Sequence, residues 1–179
     1  MKKIYCYLLV LICSVFFSCK NDQKNENQED IKKPKNNVSI VLNAVVLEND
    51  TFHVYYNEDG SEKFNEENSI WLEFKGKKTP QNIVFELPED VLPSNLRIDF
   101  GINKEQKVIE IKSFKINYLG KKIEAYNSGF FKYFRINELT AKLDMQKCLV
   151  TPTAKKDNYV GPSFYPLPDL KIDLEKLYK

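Results

Sequence analysis

VSIVLNAVVL, residues 38–47, repeats its apolar residues with a period of two rather than 3.6. Val38, Ile40, Leu42, Ala44 and Val46 share one face, and Val41, Val45 and Leu47 share the other. Strict alternation marks a β-strand, and apolar residues on both faces place that strand in the middle of a sheet. The period continues downstream. TFHVYYN (51–57) sets Phe52, Val54 and Tyr56 against His53 and Tyr55. IWLEF (70–74) sends Ile70, Leu72 and Phe74 inward, with Trp71 and Glu73 outward. In NLRIDFG (95–101), Leu96, Ile98 and Phe100 point inward while Arg97 and Asp99 point out. Such alternation belongs to sheets packed on one face and wet on the other.

Phase and turns refine this pattern. In KVIEIKSFKINYLG (107–120) the apolar set moves from odd positions, Ile109 and Ile111, to even ones, Phe114, Ile116 and Tyr118. One extra residue must be absorbed across Lys112-Ser113, by a β-bulge near Ser113 or by a kink between two strands. Asp59-Gly60 marks a tight turn in an acidic break, and Gly76 to Pro80 also reads as a turn. The C-terminal third is less regular. GFFKYFRINELTAKL (129–143) reads as a helix or as an aromatic plug, and KCLVTP (147–152) as a strand. NYVGPSFYPLPDL (158–170), with three prolines, reads as loop. Leu170, Leu174 and Leu177 then recur at helical spacing, with Asp169 as N-cap. About eight short strands predict an all-β, antiparallel β-sandwich, jelly-roll-like, with a short C-terminal helix.

The N-terminus has a different character. Met1, Lys2 and Lys3 precede an uncharged 14-residue run, Ile4 to Phe17, closed by Ser18-Cys19. That is the layout of a secretory signal, and the run falls short of the ~20 residues a membrane-spanning helix needs. Phe16, Phe17, Ser18 and Cys19 resemble the lipobox of bacterial lipoproteins, although Phe departs from the usual Leu-Ala/Ser at the first two positions. The resemblance implies cleavage before Cys19 and acylation of that residue, and two or more acyl chains anchor stably. Residues 20–37 hold five Lys, five Asn, four acids and one apolar residue, Ile31. Such a segment buries too little to offset ordering entropy and reads as a disordered tether spanning roughly 25 Å. The expected organisation is a signal peptide at 1–18, a lipidated Cys19 with its tether at 19–37, and a sandwich domain at 38–179. The expected location is the outer membrane, on either its periplasmic or its outer face.

Composition excludes several function classes. Loss of residues 1–18 removes two lysines from 27 basic residues and none of the 25 acids, leaving the charges balanced. A nucleic-acid partner would require a basic surplus. Of four cysteines, Cys6 and Cys13 leave with the signal and Cys19 takes lipid, so Cys148 has no intrachain partner. It is expected to be a small buried apolar residue. The chain contains no HExxH, no CxxC and no Gly-rich phosphate loop, so neither a metal nor a cofactor is expected. The single histidine, His53, alternates outward and is expected at the surface. The acid pairs Glu66-Glu67 and Glu89-Asp90 sit in solvated turns, so no catalytic residue is assigned.

The outward set of Tyr55, Trp71, Arg97 and Asp99 remains. A sugar presents an apolar C–H face ringed by hydroxyls and is held by an exposed aromatic ring beside polar groups. These four residues are candidates for such a site. The alternatives are that a second layer covers this face and buries the rings, and that Arg97 and Asp99 pair with each other.

YYNEDGSEKFNEENS (55–69), VFELPEDVLPSNLRIDFG (84–101), IKSFKINYLG (111–120) and FFKYFRINEL (130–139) resemble a β-sandwich domain of Bacteroidota. That domain, similar to a carbohydrate-binding module, occurs in surface lipoproteins and in glycan-related envelope membrane proteins. The resemblance spans roughly residues 51–165. It implies a non-catalytic domain that associates with carbohydrate or with an envelope protein partner. Relatives commonly carry Pro-Asn after the Phe-rich run, whereas here Arg135 is followed by Ile136-Asn137.

Overall fold

The computed structural model describes residues 36–153 and 159–179; Cys19 and the tether up to residue 35 lie outside the described residues. In chain order the strands are β1 (Ser39–Val46), β2 (Asp50–Asn57), β3 (Ser69–Phe74), β4 (Lys77–Glu86), β5 (Asn95–Asp99) and β6 (Ile109–Tyr118). They continue as β7 (Lys121–Tyr126), β8 (Phe134–Ile136), β9 (Ala141–Asp144), β10 (Leu149–Pro152) and β11 (Ser163–Pro166), followed by helix α1 (Pro168–Tyr178). One sheet runs β4-β1-β6-β10-β9, with β7 also paired to β6; the other runs β3-β2-β5-β11-β8. Every pairing is antiparallel. Most neighbours are not consecutive in sequence, so the chain crosses between sheets as in a jelly-roll-like sandwich rather than meandering within one.

Period two decides which residues enter the core. Ile40, Leu42, Ala44 and Val46 of β1 are fully buried, as are Phe52 and Val54 of β2. β1 lies between β4 and β6, as its two apolar faces require. The phase error in β6 is a bulge. Asn43 pairs with Ser113 but Ala44 pairs with Ile111, so Lys112 is the extra residue. Both Ile111 and Phe114 thereby stay fully buried.

Three details differ from the sequence expectation, and one open alternative is decided. β4 begins at Lys77, inside the stretch expected to turn. Pro80 is accommodated because β4 is an edge strand and its register with β1 slips between Ala44 and Val46. Ser163–Pro166 is a strand between β5 and β8 rather than loop, since Pro162 precedes it and Pro166 is its last paired residue, which leaves the amides of Phe164 and Tyr165 free to bond. The Phe-rich segment is the plug rather than a helix: a 3-10 turn, Asn127–Lys132, drops Phe130 into the core and leads into β8. Helix α1 is capped by Leu167, with Pro168 in its first turn. Asp169 lies inside that first turn, where its charge complements the helix dipole. Leu170, Leu174 and Leu177 are the buried stripe of α1.

One loop shapes the end of the second sheet. The buried Asp50 carboxylate accepts hydrogen bonds from the amides of Thr51, Ile102 and Asn103 and from the Gln106 side chain. Gly101 lies against this carboxylate at φ 84°, and a Cβ there would strike it. Only glycine satisfies both conditions.

Candidate functional site

All four outward residues share the outer face of the five-stranded sheet. Register aligns them in two rows across the strands. In the first, Trp71 of β3 lies opposite His53 of β2, which lies opposite Asp99 of β5, which lies opposite Ser163 of β11. In the second, Ser69 lies opposite Tyr55, Tyr55 opposite Arg97, and Tyr165 opposite Arg135. Alternation within strands selects the face, and pairing between strands brings the residues into contact.

Trp71 is 49% exposed. Its indole lies nearly parallel to the His53 imidazole, with centroids 3.7 Å apart and planes 20° apart. His53 is consequently 1% exposed, which corrects its expected surface position. It does point away from the core, but Trp71 stacks on one side and Tyr55 approaches to 3.8 Å. Neither ring nitrogen has a hydrogen-bond partner among the described residues. Burial lowers the imidazole pKa to about 4, against the opposing pull of Glu66. The neutral ring therefore forms no ion pair with Glu66, whose carboxylate oxygen is 3.7 Å from Nε2.

Tyr55 is 9% exposed, with its ring beneath the Arg97 guanidinium at 4.8 Å. Its hydroxyl donates to Glu66 at 2.7 Å. Burial first, then this hydrogen bond, raises the phenol pKa, while the same bond holds the Glu66 carboxyl below its ordinary value. Tyr55 thus positions Glu66 and offers no free ring face. Arg97 and Asp99 pair with each other at 2.9 and 2.6 Å, a bidentate bridge along one strand face. Burial pushes the Asp99 pKa up and Arg97 pulls it down, with a net rise. Arg97 also lies 4.9 Å from the Tyr165 ring, and Arg135 lies 5.2 Å from the same ring.

A cleft of about 160 Å³ opens beside Trp71, and its walls include His53, Asp99, Tyr159 and Gly161. The Tyr159 hydroxyl is buried and lacks a partner among the described residues, and burial pushes its pKa up to about 12. Tyr159 and Tyr165 were not legible as site residues because their stretch reads as loop. The signal was present in Ser-Phe-Tyr, which alternates correctly once it is treated as a strand. Elsewhere, Cys148 is buried, and burial raises its thiol pKa. Among the described residues no group of three or more His, Cys, Asp or Glu is placed to hold a metal ion.

The fold and this face together define a β-sandwich that carries an aromatic and cationic surface on one sheet. No family model, no curated protein and no solved structure matches the chain.

Proposed function

We propose that this protein is a lipid-anchored protein of the cell envelope that binds glycan without catalysis, through the outer face of its five-stranded sheet. The observation that carries this reading is the half-exposed indole of Trp71 laid flat on the buried His53 ring. A pre-oriented flat apolar surface beside polar groups matches the C–H face and hydroxyl rim of a pyranose, and its orientation is already set before ligand arrives. Arg97 and Asp99 lie beside it as donor and acceptor for hydroxyls. Retention of the purified full-length chain in gels containing a neutral polysaccharide is expected to fall about tenfold or more on Trp71→Ala, with a cooperative melting transition verifying that the variant is folded. Equal retention of the two proteins would remove Trp71 from the site.

The anchor rests on the Phe16–Cys19 lipobox resemblance. Mass spectrometry of the native protein is expected to find a chain beginning at an acylated Cys19 and fractionating with the outer membrane. Recovery of residues 1–18 on the native chain would overturn it.

A structural or interaction subunit of an outer-membrane complex is the second reading. It is favoured by the open groove between the edge strands β8 and β9, where Met145 is 54% exposed beside Phe131, Ile136 and Leu143. Capture of one stoichiometric envelope protein, with no polysaccharide retention, would favour this reading over glycan binding.

A further inference from the structure

Three apolar side chains stand exposed around the cleft beside Trp71: Trp71 itself at 49%, Ile102 at 58% and Val160 at 53%. Among its lining residues are two whose buried polar groups the described residues leave unpaired, His53 with its imidazole and Tyr159 with its hydroxyl. Buried polar groups normally have partners, and leaving one without costs a large part of its lost hydration. An apolar rim over a few unsatisfied polar groups is the makeup of a small-molecule site. At about 160 Å³, the cleft is well below the ~300–1,000 Å³ of pockets that enclose larger ligands, so it admits a single ring.

We infer that this cleft is a one-ring subsite for an uncharged sugar, in which Trp71 stacks on the C–H face while Tyr159 and His53 hydrogen-bond hydroxyls. This rests on the glycan-binding reading and adds the size and charge class of the bound unit. Ile102 and Val160 shift aside as the ring enters, since both are exposed and free to change rotamer. Local charge sets the class. Asp99 neutralises Arg97. Two acidic side chains act on the unpaired groups: Glu66 on His53, against the opposing field of Arg97, and Asp50 on Tyr159. A sugar carboxylate placed there would meet repulsion and, among the described residues that line the cleft, no cation. Hydroxyls meet neither problem.

Trp71 is the only tryptophan in the chain, so fluorescence excited selectively in tryptophan, away from tyrosine absorption, reports this site alone. The full-length protein is titrated with methyl glycosides of glucose, galactose, mannose and N-acetylglucosamine, and with the matching glucuronide and galacturonide. At least one neutral glycoside is expected to give a saturable change, with its uronide at least about tenfold weaker. Tyr159→Phe, which deletes one oxygen, is expected to weaken that glycoside about tenfold, as loss of a buried hydrogen bond does. The melting temperature of Tyr159→Phe verifies folding. His53→Gln gives a second variant, expected to weaken the same glycoside. The inference is overturned if no neutral glycoside gives a saturable change, if the uronide binds as well, or if both variants bind like the wild type. Should polysaccharide retention still require Trp71 in any of those cases, the broader glycan-binding reading survives. If retention is also independent of Trp71, both fall.

Discussion

Replacing Phe130 with alanine is expected to lower the unfolding free energy by about 3–5 kcal/mol, the usual range for a buried phenylalanine truncated in place. Phe130 is fully buried and lies within 4.8 Å of the Phe134 ring, 5.3 Å of Phe164 and 5.7 Å of Phe114, centroid to centroid. These partners come from β8 and β11 of one sheet and β6 of the other, so the ring joins both sheets. Its own backbone is a short 3-10 turn that the rest of the core holds in position. Truncation leaves a cavity bounded by rings already locked against one another, which cannot collapse to fill it. Urea denaturation of the full-length chain would measure the loss, with a fall in melting temperature of about 10 °C for a domain of this size. Phe130→Leu should recover most of it. A loss below about 1 kcal/mol would show that the two sheets do not depend on this contact.

Acid is expected to destabilise the fold through His53 as pH falls below about 6.5. His53 is the only histidine in the chain, so no other side chain has an ordinary pKa near 6.5. The folded imidazole is held down to about 4, chiefly by burial. Between these values the unfolded chain binds a proton that the folded chain refuses. Stability therefore declines as pH falls from about 6.5 towards 4, by up to about 3 kcal/mol. Glu66 moderates this by favouring the charged ring. Asp99 acts in the opposite direction: its raised pKa means that the folded state takes up its proton first as pH falls. The depressed carboxyls Glu66 and Asp173 lose their contributions only lower, as pH falls below their ordinary values. His53→Gln isolates the histidine from these groups. The stability difference between wild type and variant, followed from pH 7.5 to 4, should change in favour of the variant across the window. Parallel curves for the two proteins would mean that Trp71 does not seal His53 from water.

The two effects arise on opposite faces of the same sheet, and they were not equally legible. Phe130 could be seen in the sequence as part of a plug or of a helix stripe; the plug wins because β8 and the 3-10 turn pair and pack around it. The bulge at Lys112 was legible because a sheet that buries one face cannot absorb an odd residue without shifting every side chain after it. Strand β11 was missed because local proline content argued against pairing, whereas its location beside β5 was decided by residues some 65 positions earlier in the chain.

The sequence alone determined that this is a sandwich, which side chains of β1, β2, β5 and β6 enter its core, and which face carries Trp71, Tyr55, Arg97 and Asp99. All of these follow from a two-residue period and from the gain on burying apolar surface, and both are local properties. Only the tertiary structure decided what those outward residues do to each other. Trp71 covers His53, Tyr55 is spent on Glu66, Arg97 is locked to Asp99, and Tyr159 arrives from a distant segment to line the cleft. Strand order and register set those contacts, and they depend on which distant segments pair, a choice made by the whole core at once rather than by any stretch within it.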